Sequence, residues 1–206
     1  MIVEYKLKQK NKIALFFNSE RGISLLKNLK KNYSLDIYLS QKNLRPELKI
    51  YLKKKNIKFK IIKKITRGLV KTIKSKNYFL IISAGNPLIF PNDLLKAAVN
   101  HTINLHGGPL PSYRGGSPLN WQIINGEKSI KISIIMMTKN LDTGPIYCNK
   151  KFKLKKNDTI KTVHQKVNNL FPGMVSLTIK KIKNKIKPLK QSKKNIKYYK
   201  QRSEKD

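Results

Sequence analysis

Tyr78-Phe79-Leu80-Ile81-Ile82-Ser83-Ala84 is the most apolar run in the chain, and it ends against Gly85. A short continuous apolar run closed by a glycine reads as a strand buried on both faces, which is the habit of parallel sheets covered by helices. The flanking sequence agrees. Upstream, Ile13-Ala14-Leu15-Phe16-Phe17 is a second such run, and Ser19 is placed to cap a helix with Ile23, Leu25, Leu26 and Leu29 on one face. Leu35 to Leu39 reads as a strand, Pro46 opens a helix with Leu48, Tyr51 and Leu52 inward, and Ile57 to Ile61 alternates like an edge or half-covered strand. A helix over Leu69–Lys76 leads into the central run. Downstream, a helix is expected over Pro91–Val99, a strand over Thr102–His106, a helix over Leu119–Asn125 and a strand over Lys131–Met137. Asp158 is placed to cap a last helix bearing Ile160, Val163, Val167, Leu170 and Phe171. Pro172-Gly173 should interrupt it before a further helical run to about Lys187. Repeated alternation of strand and helix predicts an open, mostly parallel, Rossmann-like α/β sheet with helices on both faces.

At 206 residues the chain suits one well-buried domain. Its 46 Lys and Arg against 10 Asp and Glu give a net charge of +36, which points toward nucleic acid or another anionic partner. That excess avoids the middle of the chain, where residues 81–147 carry a net of only +2. Lys, Asn and Ile rise together elsewhere, as a genome-wide compositional bias would make them, and the two explanations stay open. The single Cys148 cannot form an internal disulfide, no stretch has the length of a membrane span, and Met1–Lys12 lacks the apolar core of a signal peptide. A cytoplasmic protein is expected, with residues 1–12 as an N-terminal extension and 188–206 as a mobile basic tail.

Chemistry concentrates in Asn104-Leu105-His106-Gly107-Gly108-Pro109-Leu110-Pro111-Ser112-Tyr113-Arg114-Gly115. Two residues apart on a strand end, Asn104 and His106 point to the same face. The other histidines have less company: His101 is expected to be exposed, and His164 to pack or face solvent on the last helix. Asp142, in Leu141-Asp142-Thr143-Gly144, follows another strand end and could lie beside His106, orienting it and raising its proton affinity. His106 could then shuttle a proton or stabilise an oxyanion, with Asn104 donating to the same oxygen. Polar turn residues in purely structural roles remain the alternative. No G-x-G-x-x-G follows the first strand, no G-x-S-x-G elbow exists, and no metal-ligand spacing is present. The loop Gly85-Asn86-Pro87-Leu88-Ile89-Phe90 leaves the central strand, where open sheets of this kind bind ligands.

These motifs resemble the family of formyltransferases that use 10-formyltetrahydrofolate. Asn104-Leu105-His106 is similar to its N-x-H, Leu141-Asp142-Thr143-Gly144 to its acid motif, and the likeness extends over about residues 13–187. The Tyr113-Arg114-Gly115-Gly116-Ser117-Pro118 continuation is closer to methionyl-tRNA and amino-sugar formyltransferases than to glycinamide ribonucleotide enzymes. The resemblance implies a formyltransferase fold, a catalytic triad of Asn104, His106 and Asp142, and a pterin against the backbone of Gly85, Asn86, Pro87, Leu88, Ile89 and Phe90, with Leu88 and Phe90 as apolar walls. It implies an acceptor-side loop of Gly107, Gly108, Pro109, Leu110, Pro111, Tyr113 and Arg114, with no metal. Gly108 and Pro109 depart from the family's usual Ser-Leu. Residues 188–206 look like the linker to a C-terminal domain. On this reading the acceptor is a small-molecule amine, leaning to a nucleotide-linked amino sugar, ahead of methionyl-tRNA and glycinamide ribonucleotide. Hydrolysis of 10-formyltetrahydrofolate and a non-catalytic RNA-binding scaffold are the competing functions.

Overall fold

The computed structural model describes residues 12–203. The expected N-terminal extension, apart from Lys12, and the last three residues of the tail lie outside the described residues. The chain separates into two compact units, one reaching to Asn104 and one starting at Leu105.

In the first unit, β1 (Lys12–Phe17), α1 (Glu20–Leu29), β2 (Ser34–Ser40), α2 (Pro46–Lys54), β3 (Phe59–Ile62), α3 (Arg67–Ser75), β4 (Leu80–Ala84) and α4 (Asn92–Leu95) alternate before β5 (His101–His106). All pairings are parallel: β1 with β2 and β4, β2 with β3, and β4 with β5. Ile13 to Phe17 and Leu80 to Ile82 are wholly buried, as their unbroken apolar runs require. The chain steps one way from β1 to β3 and then returns past β1 to β4. Right-handed crossovers in opposite directions put α1–α2 and α3 on opposite faces, and the reversal between β1 and β4 is the topological switch point. The Gly85–Phe90 loop leaves β4 there.

Three local expectations change. The helix expected over Pro91–Val99 shrinks to α4, because Val99 donates its backbone N–H to the Tyr78 carbonyl (2.8 Å) and Asn100 its side-chain amide to that of Phe79 (3.0 Å). Ser19 occupies the N-cap of α1 without capping it; its hydroxyl turns to the Ala84 carbonyl at 3.5 Å. His101 is half-buried instead of exposed, and burial pushes its imidazole below the usual range.

The second unit holds β6 (Arg114–Gly115), α5 (Pro118–Ile124), β7 (Ser129–Met136), β8 (Ile146–Lys153), α6 (Ile160–Lys183) and β9 (Tyr198–Tyr199). β7 and β8 pair antiparallel, with an irregularity between Ile134 and Ile135. The hydrogen-bonded order of the seven-stranded sheet is β3-β2-β1-β4-β5-β7-β8, so the fold is α/β, open and mostly parallel. Contrary to the sequence expectation, α6 runs unbroken through Pro172. An internal proline costs about 3 kcal/mol. Val163, Val167, Phe171, Met174, Val175, Ile179 and Ile182 are all buried on the same helix, and at roughly 1.5–3 kcal/mol each their burial outweighs that loss. Its N-cap is Thr159, in a reciprocal capping box with Thr162. Asp158 instead accepts from the backbone of Lys155 (2.8 Å) and the ammonium of Lys166 (2.5 Å).

One polar cluster pins the first unit. Asp36 of β2 accepts from Lys76 (2.5 Å) and from the Tyr78 hydroxyl, and Tyr38 lies 2.8 Å from that hydroxyl. Lys12 completes it at 3.5 Å from the carboxylate. Burial pushes the Asp36 carboxyl up, but hydrogen bonds from Lys76 and Tyr78 and the charges of Lys12 and Lys76 outweigh it, leaving it below the ordinary 3.8. A carboxyl lowered in the folded state stabilises above its unfolded value and loses that contribution as pH falls through the folded one. Urea midpoints measured from neutral pH down through about pH 3 should therefore fall in acid, and Asp36→Asn should lower the neutral midpoint and flatten the acid limb. An acid limb equally steep in the variant would contradict this role.

Candidate active site

β5 delivers Asn104 and His106 two residues apart at its end. Asn104, which closes the first unit, is half-buried and in register with Ser83. His106 is 4% exposed, and the chain after it folds back so that its Nε2 lies 2.6 Å from the Tyr113 carbonyl. A carbonyl only accepts, so Nε2 carries the hydrogen and Nδ1 is left to face Asp142. The Nδ1 to Oδ2 distance is 3.6 Å, with both side chains almost fully buried. That is too long for a hydrogen bond, and it leaves the carboxylate facing the ring nitrogen across a short gap. The structure thus brings together the His and Asp that the sequence paired.

Asp142 is held tightly. Its backbone is left-handed, with φ at +52°, and its Oδ2 accepts from the Gly115 N–H at 2.9 Å. Gly144 makes the turn possible, since a Cβ there would lie 1.7 Å from the Met136 carbonyl. Thr138 and Thr143 pair their hydroxyls at 2.8 Å, and Met136 donates its N–H to the Pro145 carbonyl at 2.9 Å, closing the loop.

The loop from Gly107 to Arg114 is ordered from three sides. The Gln122 amide donates to the Gly107 carbonyl (2.8 Å) and accepts from the Lys131 N–H (2.8 Å), tying the loop to β7. Ser133 donates to the Gly108 carbonyl at 2.8 Å. Leu110-Pro111 is a cis peptide. The Tyr113 hydroxyl donates to Glu127 (2.7 Å), and burial, reinforced by that carboxylate, pushes it up to about 12, so it stays a donor. Arg114 is 7% exposed; its guanidinium reaches Gln191 (2.8 Å) and the Tyr198 hydroxyl (3.0 Å). Sequence reading missed Gln122 and Gln191. The only available signal for Gln122 was a polar residue on the apolar face of a short helix.

The C-terminal segment is not a free tail. β9 pairs with β6, placing Tyr198 opposite Arg114 and Tyr199 opposite Gly115. Gly115, at φ +94°, admits this strand, because a Cβ would meet the Tyr199 carbonyl at 2.2 Å. The Tyr199 ring stacks on Tyr113 (5.0 Å) and tilts against Trp121 (5.2 Å). Backbone pairing and aromatic stacking hold a segment whose apolar periodicity is too weak to announce it.

In the first unit, the Gly85–Phe90 loop keeps one polar group in reserve. Asn86 Oδ1 accepts from the Leu88 N–H at 2.9 Å, while its buried Nδ2 has no hydrogen-bond partner among the described residues. An unmade buried donor at a switch point suits a ligand's acceptor atom. Ile89 is 90% exposed, whereas Phe90 turns inward, edge-on to Phe16 at 4.9 Å; of the two expected apolar walls, only the half-buried Leu88 is open to a ligand.

The architecture and the Asn-x-His and Asp motifs define an N-formyltransferase-type α/β fold. A 4-N formyltransferase from Francisella tularensis superposes on 93% of this chain and 77% of its own, with a TM-score of 0.75 at 22% identity. A sugar 3N-formyl transferase solved in the presence of dTDP and 5-N-formyl-THF covers 92% and 69%, with a TM-score of 0.70 at 20% identity. The chain belongs to the formyl transferase family, whose profile matches residues 6–178. The methionyl-tRNA formyltransferase of Malacoplasma penetrans is 32% identical over 145 residues, covering 70% of this chain. The chain spans less than half the length of that relative, 45%. No helix among the described residues is long and apolar enough to cross a membrane.

Gly144→Ala tests the turn that carries Asp142. Overpacking against the Met136 carbonyl should cost about 1–3 kcal/mol, read from the urea midpoint at constant m-value. An unchanged midpoint would show that the turn tolerates the methyl group.

Proposed function

We propose that this protein transfers the formyl group of 10-formyltetrahydrofolate to a primary amine. The observation that carries this reading is the buried His106–Asp142 pair, 3.6 Å apart, with Asn104 two residues before His106 on the same strand. 10-Formyltetrahydrofolate supplies the formyl carbon; the acceptor nitrogen bonds to it, the bond from that carbon to N10 breaks, and the proton lost by the amine ends on N10 of the departing tetrahydrofolate. Asn104 donates to the formyl oxygen as negative charge gathers there. Protonated His106, released from the Tyr113 carbonyl, turns its Nε2–H to the same oxygen. Asp142 faces Nδ1, stabilises the charged ring and assists removal of the amine proton. Asn86, with its reserved amide donor, and Leu88 fit a folate headgroup, although Phe90 supplies core packing instead of a wall.

The acceptor reading rests on charge. A cavity of about 320 Å³ beside the loop is lined by Pro109, Leu110, Lys131, Ser133, Asn149, Lys150 and Lys151. Lys131 stands directly opposite Lys151 across β7 and β8, an arrangement that costs stability until an anion relieves it. This favours an acceptor bearing phosphates. The 32% identity to a methionyl-tRNA formyltransferase and the +36 charge support methionyl-tRNA as such an acceptor, beside the nucleotide-linked amino sugar that the sequence reading preferred. On methionyl-tRNA, activity should fall steeply with salt.

The deciding assay supplies 10-formyltetrahydrofolate with methionyl-tRNA, nucleotide-linked amino sugars, glycinamide ribonucleotide or no amine, and identifies products by mass. A formylated amine supports transfer; formate released equally with and without an amine would assign hydrolysis. Salt-sensitive RNA binding with no turnover would leave only a scaffold. His106→Ala and Asp142→Asn should each lower transfer by at least about a hundredfold. Near-normal turnover in either purified variant would remove that residue from the mechanism.

A further inference from the structure

We propose that Gln191 is a positioning residue that sets Asp142 from the far side of its turn; the proposal rests on the formyl-transfer reading above. Its side-chain amide has two N–H donors and two acceptor lone pairs. All four are used, and on two separate loops. Nε2 donates to the carbonyls of Asp142 (2.8 Å) and Gly144 (2.7 Å). Oε1 accepts from Nε (3.2 Å) and Nη2 (2.8 Å) of Arg114. Arg114 immediately precedes Gly115, whose N–H holds the Asp142 carboxylate.

Gln191 therefore grips both ends of the arrangement: the backbone that carries the carboxylate, and the strand that supplies the carboxylate's donor. A left-handed, non-glycine residue such as Asp142 persists only where its surroundings over-determine it. The paired bonds to residues 142 and 144 straddle the turn and provide that constraint. A glutamate at 191 would keep the attraction to Arg114 but turn a carboxylate toward two carbonyls. An asparagine would fall one methylene short.

Docking of the C-terminal segment has other anchors, so the two roles can be separated. Leu189 exchanges backbone hydrogen bonds with Ile146 (2.7 and 2.9 Å), β9 pairs with β6, and Trp121 donates its indole N–H to the Lys200 carbonyl (2.9 Å). Trp121 is the only tryptophan, and its fluorescence reports whether the segment stays in place.

The experiment compares wild type, Gln191→Ala, Gln191→Glu, Asp142→Asn and the Gln191→Ala/Asp142→Asn double variant in the full chain. In both Gln191 variants kcat should fall about tenfold or more while KM for 10-formyltetrahydrofolate stays within about twofold. In the Asp142→Asn background, removing Gln191 should cost nothing further, because residues acting as one unit are not additive. The ring nitrogen-15 shifts of His106 should move from their wild-type values toward those of Asp142→Asn, with Trp121 emission unchanged. Should Gln191→Ala shift Trp121 emission, Gln191→Glu, which retains the Arg114 contact, decides. Losses that multiply in the double variant, or His106 shifts that stay at wild type in both Gln191 variants, overturn the proposal. If wild type formylates no amine, the functional reading fails, and the His106 shifts still decide the positioning role.

Discussion

The hydrogen bond from the Gly115 N–H to the Asp142 carboxylate organises the second unit. It joins the loop after β5 to the turn after β7, and almost every other contact in the region supports one of its two ends. On one side, Gly115 can accept β9 alongside because it has no side chain to block the Tyr199 carbonyl. On the other, Asp142 sits in a left-handed conformation that neighbouring bonds enforce. A buried carboxylate is costly unless its oxygens find donors, and this N–H supplies one to Oδ2.

The same economy of polar atoms appears in the buried amides. Gln122 is 1% exposed and bonds to the backbone of the loop, of its own helix and of β7. Asn18, at the end of β1, donates to the carbonyls of Ser40 and Lys42 and accepts from the Ser40 N–H. Each ties a strand end to a neighbouring loop through short bonds to backbone groups. Asn86 leaves a buried donor unmade at the loop after β4, and Asn168 on α6 leaves its buried Oδ1 without a hydrogen-bond partner among the described residues.

Much of the sheet was legible because buried parallel strands are unbroken apolar runs. β1, β4 and β5 followed from Ile13–Phe17, Tyr78–Ala84 and Thr102–His106, and the Ile57–Ile61 run, read as an edge or half-covered strand, lies at the sheet edge as β3. β8 was not recognised. Its Asn149-Lys150-Lys151 stretch is exposed at the other edge of the sheet and reads as a polar loop. The break expected at Pro172 failed because a local rule about one missing N–H was set against a long buried helix face.

The sequence alone determined the strand–helix alternation, the closeness of Asn104 to His106 along one strand, and the residue types available for chemistry. These depend on periodicity and local backbone geometry, which neighbouring residues dictate. Only the tertiary structure decided that Asp142 lies within 3.6 Å of His106, that the imidazole's other nitrogen is engaged by Tyr113, and that residues 189–202 pack onto the loop. Those facts join positions 36 to 84 residues apart, or turn on one carbonyl's direction. They follow from how strands are ordered and loops return, which no local pattern encodes.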